Sequence, residues 1–279
     1  MTSASGPIIV PLDGSKAAEQ AIDDAKIITG YNGAAVVLLH VVDRDDFPAA
    51  EDFATARDNF ATYAMRLASS AGIENAKAHT AEGKPGATIL RYAREHQASM
   101  IIIATHGRGG FQATFIGSVA DRVARGAECP VLLVPATREC VVRGPVVVAL
   151  DGSGEGEEAL AEGRALARYL SADVVLVSAY RLPPPVGVEF SYYSPSMLDS
   201  FKAATEEYLQ KVALPGEQAY TVQGPAASAI TETAAQVDSG LVVMASSGKG
   251  LAERIALGST TGRVMHSLHR PLLIIPTGD

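Results

Sequence analysis

Two glycine-rich stretches of this sequence have the residue types and the spacing to bind an anion. Both have the frame Ala-x2-Gly-x9-Gly-Ser, at Ala104, Gly107, Gly117 and Ser118 and again at Ala245, Gly248, Gly258 and Ser259. Glycine accepts the backbone angles and the close approach that let several N–H groups point at one phosphate. A flexible turn with an ordinary serine cap explains one such stretch equally well. Two stretches in one frame favour a phosphate-binding loop, most simply for a nucleotide.

Each Gly-Ser pair opens a predicted helix, and a helix start attracts anions. Its first N–H groups have no partner within the helix, and the helix dipole favours a negative charge there. Ser118 and Ser259 add hydroxyl donors. Arg108 and Lys249 hold matching positions inside the loops, where they either neutralise phosphates or extend into solvent as ordinary surface charges. His106 either contacts a phosphate or bonds within its own loop.

The elements that position these loops repeat along the chain with a period of about 140 residues. A short apolar run ends in Asp13-Gly14-Ser15, and a second such run ends in Asp151-Gly152-Ser153, 138 positions later. The two Gly-Ser pairs are 141 positions apart. The repeat predicts two domains, 1–138 and 144–279, with a linker over about 136–144 that contains a strand-like stretch at 140–142.

Apolar runs alternate with helical patterns in both copies. The predicted strands are 7–12, 34–41, 75–81, 100–104 and 131–134, then 146–150, 173–179, 217–222, 241–245 and 272–275. Helices are predicted between them, the first ending near Gly30 and the others over 50–70, 83–96, 117–126, 155–170, 196–212, 226–236 and 258–268. The proline-rich loop 181–195 is a lid, a contact surface or a variable insertion.

Alternating strands and helices predict an α/β fold, with a parallel sheet covered by helices on both faces. In such sheets, ligands bind outside the carboxyl ends of the strands, where the strand order reverses. The turn at Asp13 follows strand one, and the glycine loop follows strand four. If strands one and four are neighbours, both features face one crevice.

Composition excludes several classes of function. Apolar residues make up 47% of the 279 residues, which predicts a folded core. The net charge of −8 argues against nucleic-acid and anionic-membrane partners. There is no run of 18 apolar residues and no signal peptide in the first residues, so we expect a cytoplasmic protein without a membrane span. Cys129 and Cys140 lack a metal-binding or redox spacing.

Taken together, these motifs resemble the universal stress protein family across nearly the whole chain. The resemblance is carried by Val10-Pro11-Leu12-Asp13-Gly14-Ser15, by the two glycine frames, by Cys129-Pro130-Val131-Leu132-Leu133-Val134-Pro135 and by Arg270-Pro271-Leu272-Leu273-Ile274-Ile275-Pro276. It implies a strand order of 3-2-1-4-5 in each of two tandem five-stranded sheets. It also implies ATP, with or without Mg²⁺, in each crevice. It further implies pairing through strand five, either between the halves or in a homodimer of tandem chains.

The resemblance also implies the nucleotide contacts, with an aspartate near the ribose and phosphates and the end of strand two framing the adenine. In the first half these are Pro11, Asp13, Val41, Ala104, Gly107, Arg108, Gly117, Ser118 and Val119. In the second half they are Asp151, Ala179, Ala245, Gly248, Lys249, Gly258, Ser259 and Thr260. The family motif usually opens with glycine, where this chain has Ala104 and Ala245, and alanine fits if it ends a strand with ordinary β angles.

No nucleophile, base and acid stand together in the sequence in a recognisable set. We therefore expect a nucleotide-binding regulator or sensor of stress and not an enzyme. Two alternatives stay open: a slow ATPase or nucleotide-dependent transferase that uses the same crevices, and a nucleotide-free dimeric interaction protein.

Overall fold

The computed structural model describes residues 6–43, 50–106, 116–136, 142–181, 195–246 and 257–277, with the side chains of 50–53 and 195 excepted. The first half of this part of the chain contains β1 Ile8–Pro11, α1 Lys16–Asn32, β2 Val36–Val42, α2 Ala50–Ala71, β3 Ala76–Glu82, α3 Pro85–Glu95, β4 Met100–Ala104, α4 Ser118–Gly126 and β5 Val131–Val134. The second half contains β6 Val146–Ala149, α5 Gly154–Leu170, β7 Val174–Tyr180, α6 Pro195–Val212, β8 Gln218–Gln223, α7 Ala226–Gln236, β9 Leu241–Ala245, α8 Ser259–Ser267 and β10 Leu272–Ile275.

The ten strands form one continuous sheet. Its order is β3-β2-β1-β4-β5-β10-β9-β6-β7-β8, so each half has the predicted order 3-2-1-4-5 with parallel neighbours. The halves join where β5 and β10 pair antiparallel, with Leu272 opposite Leu133 and Ile274 opposite Val131. The predicted division into two five-stranded sheets is therefore not confirmed: the halves form a single sheet, through one of the two strand-five pairings that the sequence left open. The last strand of each half would otherwise present an edge of unpaired N–H and C=O groups, and the two edges satisfy each other.

Helices cover both faces of the sheet. Ile8, Val10 and Ile102 belong to a buried cluster that contains residues of α1, α2, α5 and α6 from both halves. The alternate strand residues, such as Ile9 and Ile101, belong to a second cluster with α3, α4, α7 and α8. Burial on both faces explains the continuously apolar strands in the sequence.

The first helix ends later than its sequence pattern suggests. It continues through Gly30 to Asn32 and is capped by Gly33, which has a left-handed φ of +70° and donates its N–H to Thr29 O over 2.7 Å. A Cβ on Gly30 would lie 2.1 Å from the hydroxyl oxygen of Tyr169 in the second half. Gly30 therefore serves the close packing of the two halves, and Gly33 is the stop signal.

A buried carboxylate ties the start of the second half to the first. Asp24 in α1 is 1% exposed, and its Oδ1 accepts the backbone N–H of Val142. Val142 itself lies outside the described strands, and the rest of the strand-like stretch that the sequence suggests at 140–142 falls outside the described residues. None of the described helices is both long enough and apolar enough to cross a membrane.

Candidate functional site

Strands one and four are neighbours in both halves. In the first half β1 pairs in parallel with β4, with Ile8 opposite Met100 and Ile9 opposite Ile101. In the second half β6 pairs in parallel with β9, and Val146 lies opposite Leu241. The carboxyl ends of both strands therefore meet at one edge of the sheet, which satisfies the condition that the sequence argument set for a shared crevice.

The turn after β1 is held by its aspartate. Asp13 Oδ1 accepts the N–H of Ser15 over 2.9 Å, while Gly14 has a φ of +82°. Ser15 Oγ then caps α1 by accepting the N–H of Ala18 over 3.2 Å. The Asp-Gly-Ser motif thus has a local structural role: it turns the chain sharply from strand to helix at the edge of the crevice.

The second half repeats this turn with the same atoms. Asp151 Oδ1 accepts the N–H of Ser153 over 3.0 Å and also its hydroxyl proton. Ser153 Oγ accepts the N–H of Gly156 over 3.1 Å, and Gly152 has a φ of +77°. Asp13 is partly buried, whereas Asp151 is exposed, so the second crevice presents its carboxylate more openly.

The helix that follows each glycine loop starts against the end of the fourth strand. Gly117 donates its N–H to Thr105 O over 2.6 Å, and Gly258 donates to Ser246 O over 2.8 Å. Both glycines are N-cap residues, so no side chain at that position caps the first turn of α4 or α8. The N–H groups of those turns consequently lie at the carboxyl edge without a side-chain N-cap, which is the arrangement that attracts an anion.

The next residues at each helix start are accessible. Ser118 and Ser259 are exposed, and Val119 and Thr260 are partly buried. The hydroxyl of Thr261, in contrast, has a structural role: its Oγ1 donates to Ala245 O over 3.0 Å. The predicted phosphate contacts at the two helix starts therefore lie at the carboxyl edge of the sheet.

The two alanines of the glycine frames end strands with ordinary angles. Ala104 is the last residue of β4 and Ala245 the last of β9, and they are 7% and 8% exposed. Neither has a positive φ. Alanine is therefore compatible with the backbone at a position where the family motif usually has glycine.

The remaining predicted contacts are placed unevenly. Pro11 is buried as the last residue of β1, and Val41 and Ala179 lie one residue before the ends of β2 and β7, partly buried. These strands neighbour β1 and β6, so all three residues lie toward the same sheet edge. Gly107, Arg108, Gly248 and Lys249 lie outside the described residues.

Sequence reasoning missed an aromatic layer beside the aspartate turn. His40 Nδ1 donates to Leu12 O over 2.7 Å, and its ring stacks on Phe60 with centroids 4.0 Å apart. Tyr63 donates its hydroxyl to Glu19 over 2.5 Å, and burial, this carboxylate and Asp13 all raise the pKa of Tyr63. Its hydroxyl therefore stays protonated. The glycine frames gave no signal for these residues, because they lie on a strand and a helix outside the loops.

Two buried polar atoms near the crevices have no hydrogen-bond partner in the described part of the structure. One is Nε2 of His106, whose Nδ1 lies 2.9 Å from Thr105 Oγ1 at the end of β4. The other is the hydroxyl of Tyr208, where burial and the charges of Glu157 and Asp151 raise the pKa. Buried polar groups are nearly always satisfied in folded proteins, so both atoms are candidates for ligand contact.

Comparison with known proteins identifies the family. The family model described as the universal stress protein family matches residues 5–135 and again residues 143–276. The chain belongs to the universal stress protein family. The two matches coincide with the halves of the sheet, so each half is one universal stress domain.

Sequence relatives cover either one half or the whole chain. A universal stress protein of Mycolicibacterium smegmatis is 34% identical over 137 residues, which is 46% of this chain and 45% of the relative. One from Methanocaldococcus jannaschii is 32% identical over 46% of this chain and 80% of its own length. A universal stress protein of Mycobacterium tuberculosis is 24% identical over 96% of both chains, so the tandem arrangement recurs there.

Solved structures support the tandem universal stress fold. A universal stress protein from Archaeoglobus fulgidus superposes with a TM-score of 0.69 at 18% identity, covering 99% of this chain and 97% of that one. A Pseudomonas aeruginosa protein described as functionally unknown has a TM-score of 0.73 at 17% identity. At these identities the likeness concerns the fold.

Proposed function

We propose that this universal stress protein binds one adenine nucleotide in each half, with ATP as the expected ligand, and acts as a regulator and not as a catalyst. The proposal concerns the crevice between the aspartate turn and the helix start after β4, and its counterpart in the second half. Nucleotide occupancy would bias the surface that the protein presents to its partners.

The observation that carries the proposal is the glycine-capped helix start fixed to the end of the fourth strand. Gly117 N–H reaches Thr105 O at 2.6 Å, and Gly258 N–H reaches Ser246 O at 2.8 Å. A phosphate at either place would accept the N–H groups of the first helical turn and the hydroxyl of Ser118 or Ser259. Because the same geometry occurs in both halves, a shared phosphate-binding role explains it better than two unrelated turns do.

The ribose and the base of a nucleotide would find contacts along the same edge of the sheet. Asp13 and Asp151 offer carboxylate acceptors for ribose hydroxyls, and the ends of β2 and β7 at Val41 and Ala179 offer apolar surface for a base. Mg²⁺ would be a companion of the triphosphate, since it binds phosphate oxygens together with carboxylates. Both the ion and the cytoplasmic, homodimeric state expected from the sequence stay predictions.

A regulatory role fits the chemistry of the crevice better than catalysis does. The aspartates serve as turn acceptors, and in the described part of the first crevice His106 bonds to a threonine hydroxyl without a carboxylate to orient it. Groups that work as general acids or bases are normally held by such a partner. We therefore expect turnover of bound ATP to be slow or undetectable.

The decisive experiment is to denature the purified protein and to quantify the released nucleotide by mass spectrometry and absorbance, followed by titration of the stripped protein with ATP. We expect about two nucleotides per chain, one for each glycine-capped helix start. About one would mean that a single half binds. No nucleotide, together with no binding on titration, would refute the proposal and favour the nucleotide-free interaction protein. Steady phosphate release from added ATP would instead favour the enzyme.

A further inference from the structure

A basic cleft connects the second helix start with the first half of the protein. The cleft lies between α7 and α8 and has a volume of about 540 Å³. Gly258 and Ser259, the proposed phosphate contacts, line one part of it, and Arg263 and His266 line another. Arg125 enters from α4 of the first half. The cleft is therefore continuous with the place where the second nucleotide's phosphates would bind.

The charges in this cleft differ from those of the chain as a whole. The protein carries a net charge of −8, yet among the described residues the charged side chain types that line the cleft are arginine and histidine. Arg125 bonds through Nε to both carboxylate oxygens of Asp121, each over 3.0 Å. Its Nη2 points elsewhere, and it would lie 3.9 Å from a Cβ built on Gly262. Arg263 directly follows Gly262 in α8 and is exposed.

The internal repeat shows what is special about this cleft. The offset of 141 that relates Gly117 to Gly258 also relates Asp121 to Gly262 and Arg122 to Arg263. The first half thus has a carboxylate where the second has no side chain. That carboxylate would repel a phosphate chain that runs along the helix from its start, whereas Gly262 leaves room for one.

We propose that this cleft extends the second crevice into a site for a long phosphate chain, so that the second half prefers nucleoside triphosphates over monophosphates. The terminal phosphates would run from the start of α8 past Gly262 and pair with Arg263 and with Arg125 of the first half. Because Arg125 belongs to α4, the bound chain would bridge the two halves. This inference rests on the proposed function, but the anion site that it describes can be tested without any nucleotide.

The test uses the full chain and inorganic tripolyphosphate as the probe, measured by isothermal titration calorimetry. The key variant is Gly262→Asp, which places the first half's carboxylate in the cleft, and it is compared with Gly262→Ala. Within the described part of the chain, a Cβ at this position has no contact closer than 3.9 Å, so both variants are expected to fold. We expect tripolyphosphate to bind Gly262→Asp about tenfold more weakly than Gly262→Ala, because the new charge opposes the anion.

A second pair of variants tests the arginine. Arg263→Ala should weaken ATP binding at one site per chain by about fivefold to tenfold and leave AMP binding within about twofold, since the single phosphate of AMP would stay at the helix start and not extend to Arg263. Arg122→Ala removes the equivalent exposed arginine of the first half and should leave the ratio of ATP to AMP affinity at the second site unchanged.

The results separate failure of the cleft from failure of nucleotide binding. If ATP binds but Arg263→Ala leaves its affinity relative to AMP unchanged, or if tripolyphosphate binds Gly262→Asp and Gly262→Ala equally, the cleft is not a phosphate site and the inference is overturned. If no adenine nucleotide binds, the proposed function fails, and loss of tripolyphosphate binding in Gly262→Asp would still support an anion site in the cleft.

Discussion

Replacing Gly117 should disable the first crevice and spare the second. A Cβ on Gly117 would lie 3.2 Å from Thr105 O, closer than an ordinary contact. That oxygen already accepts the Gly117 N–H over 2.6 Å, so the start of α4 has no slack toward the strand. Alanine must push the helix start away by a few tenths of an ångström, and valine must push it further because of its two additional methyl groups.

This displacement would move the N–H groups of Ser118 and Val119 away from the proposed phosphate position. A hydrogen bond to a charged group contributes about 1.5–3 kcal/mol, so the loss of one such bond weakens binding by about 10- to 150-fold. Gly117→Ala should lie at the low end of that range and Gly117→Val at or beyond the high end. The fold should persist, because the strained contact lies at a helix end and not within the sheet.

The assay is calorimetric titration of the stripped protein with ATP, with the stoichiometry as the main readout. Wild-type protein should show about two sites per chain, and Gly117→Val should show about one at the same concentrations. The second crevice is the internal control, since Gly258 is unchanged. Two sites of unaltered affinity in Gly117→Val, with an unaltered thermal melt, would refute the view that this helix start holds phosphate.

Three further predictions concern the framework. Arg164→Ala should cost roughly 2–3 kcal/mol of unfolding free energy in chemical denaturation, because Arg164 bonds to both carboxylate oxygens of the mostly buried Glu217, over 2.7 and 2.6 Å. Burial alone raises the pKa of Glu217, but Arg164 and a backbone N–H lower it below its ordinary 4.5. The stability that this ion pair contributes should therefore be present above about pH 4.5 and be lost as the pH falls further. Arg164→Ala should lack this pH-dependent loss. Asp24→Ala should destabilise the fold by about 1–3 kcal/mol, more than Asp24→Asn, because it leaves the buried N–H of Val142 without an acceptor; equal melting temperatures for the two variants would contradict this. Burial raises the pKa of Cys129 to about 11, so its alkylation by iodoacetamide at pH 8 should be much slower in folded than in unfolded protein; equal rates would contradict this.

The sequence predicts the strands well where burial alone decides them. The runs at 100–104 and 131–134 are apolar on both faces and have the same bounds in the structure. The predicted end of the first helix near Gly30 was wrong. A single sequence does not distinguish a glycine that stops a helix from one that makes room for Tyr169 of the other half. The pairing of β5 with β10 was one of two alternatives, since the same edge could equally meet a second chain.

The sequence could predict those parts of the candidate site that depend on backbone geometry. The glycine frames indicate the helix starts at Gly117 and Gly258, because their role depends on local geometry. The layer beside the aspartate turn was not indicated, because Tyr63 and Glu19 lie 44 residues apart and meet only through the packing of α2 on α1. Arg125 reaches the second half only because the sheet is continuous.

The two halves share a backbone but not the side chains around their crevices. In the first half the hydroxyl of Tyr63 donates a hydrogen bond to Glu19. In the second half the hydroxyl of Tyr208 has no hydrogen-bond partner in the described part of the structure. A nucleotide that accepts the hydrogen bond of Tyr208 gains an interaction and relieves a buried unsatisfied donor, whereas Tyr63 would first have to leave its carboxylate. Together with the glycine at 262, this asymmetry favours unequal affinities, with the second half occupied first. Two equivalent sites in a titration would show that the backbone geometry alone sets the affinity.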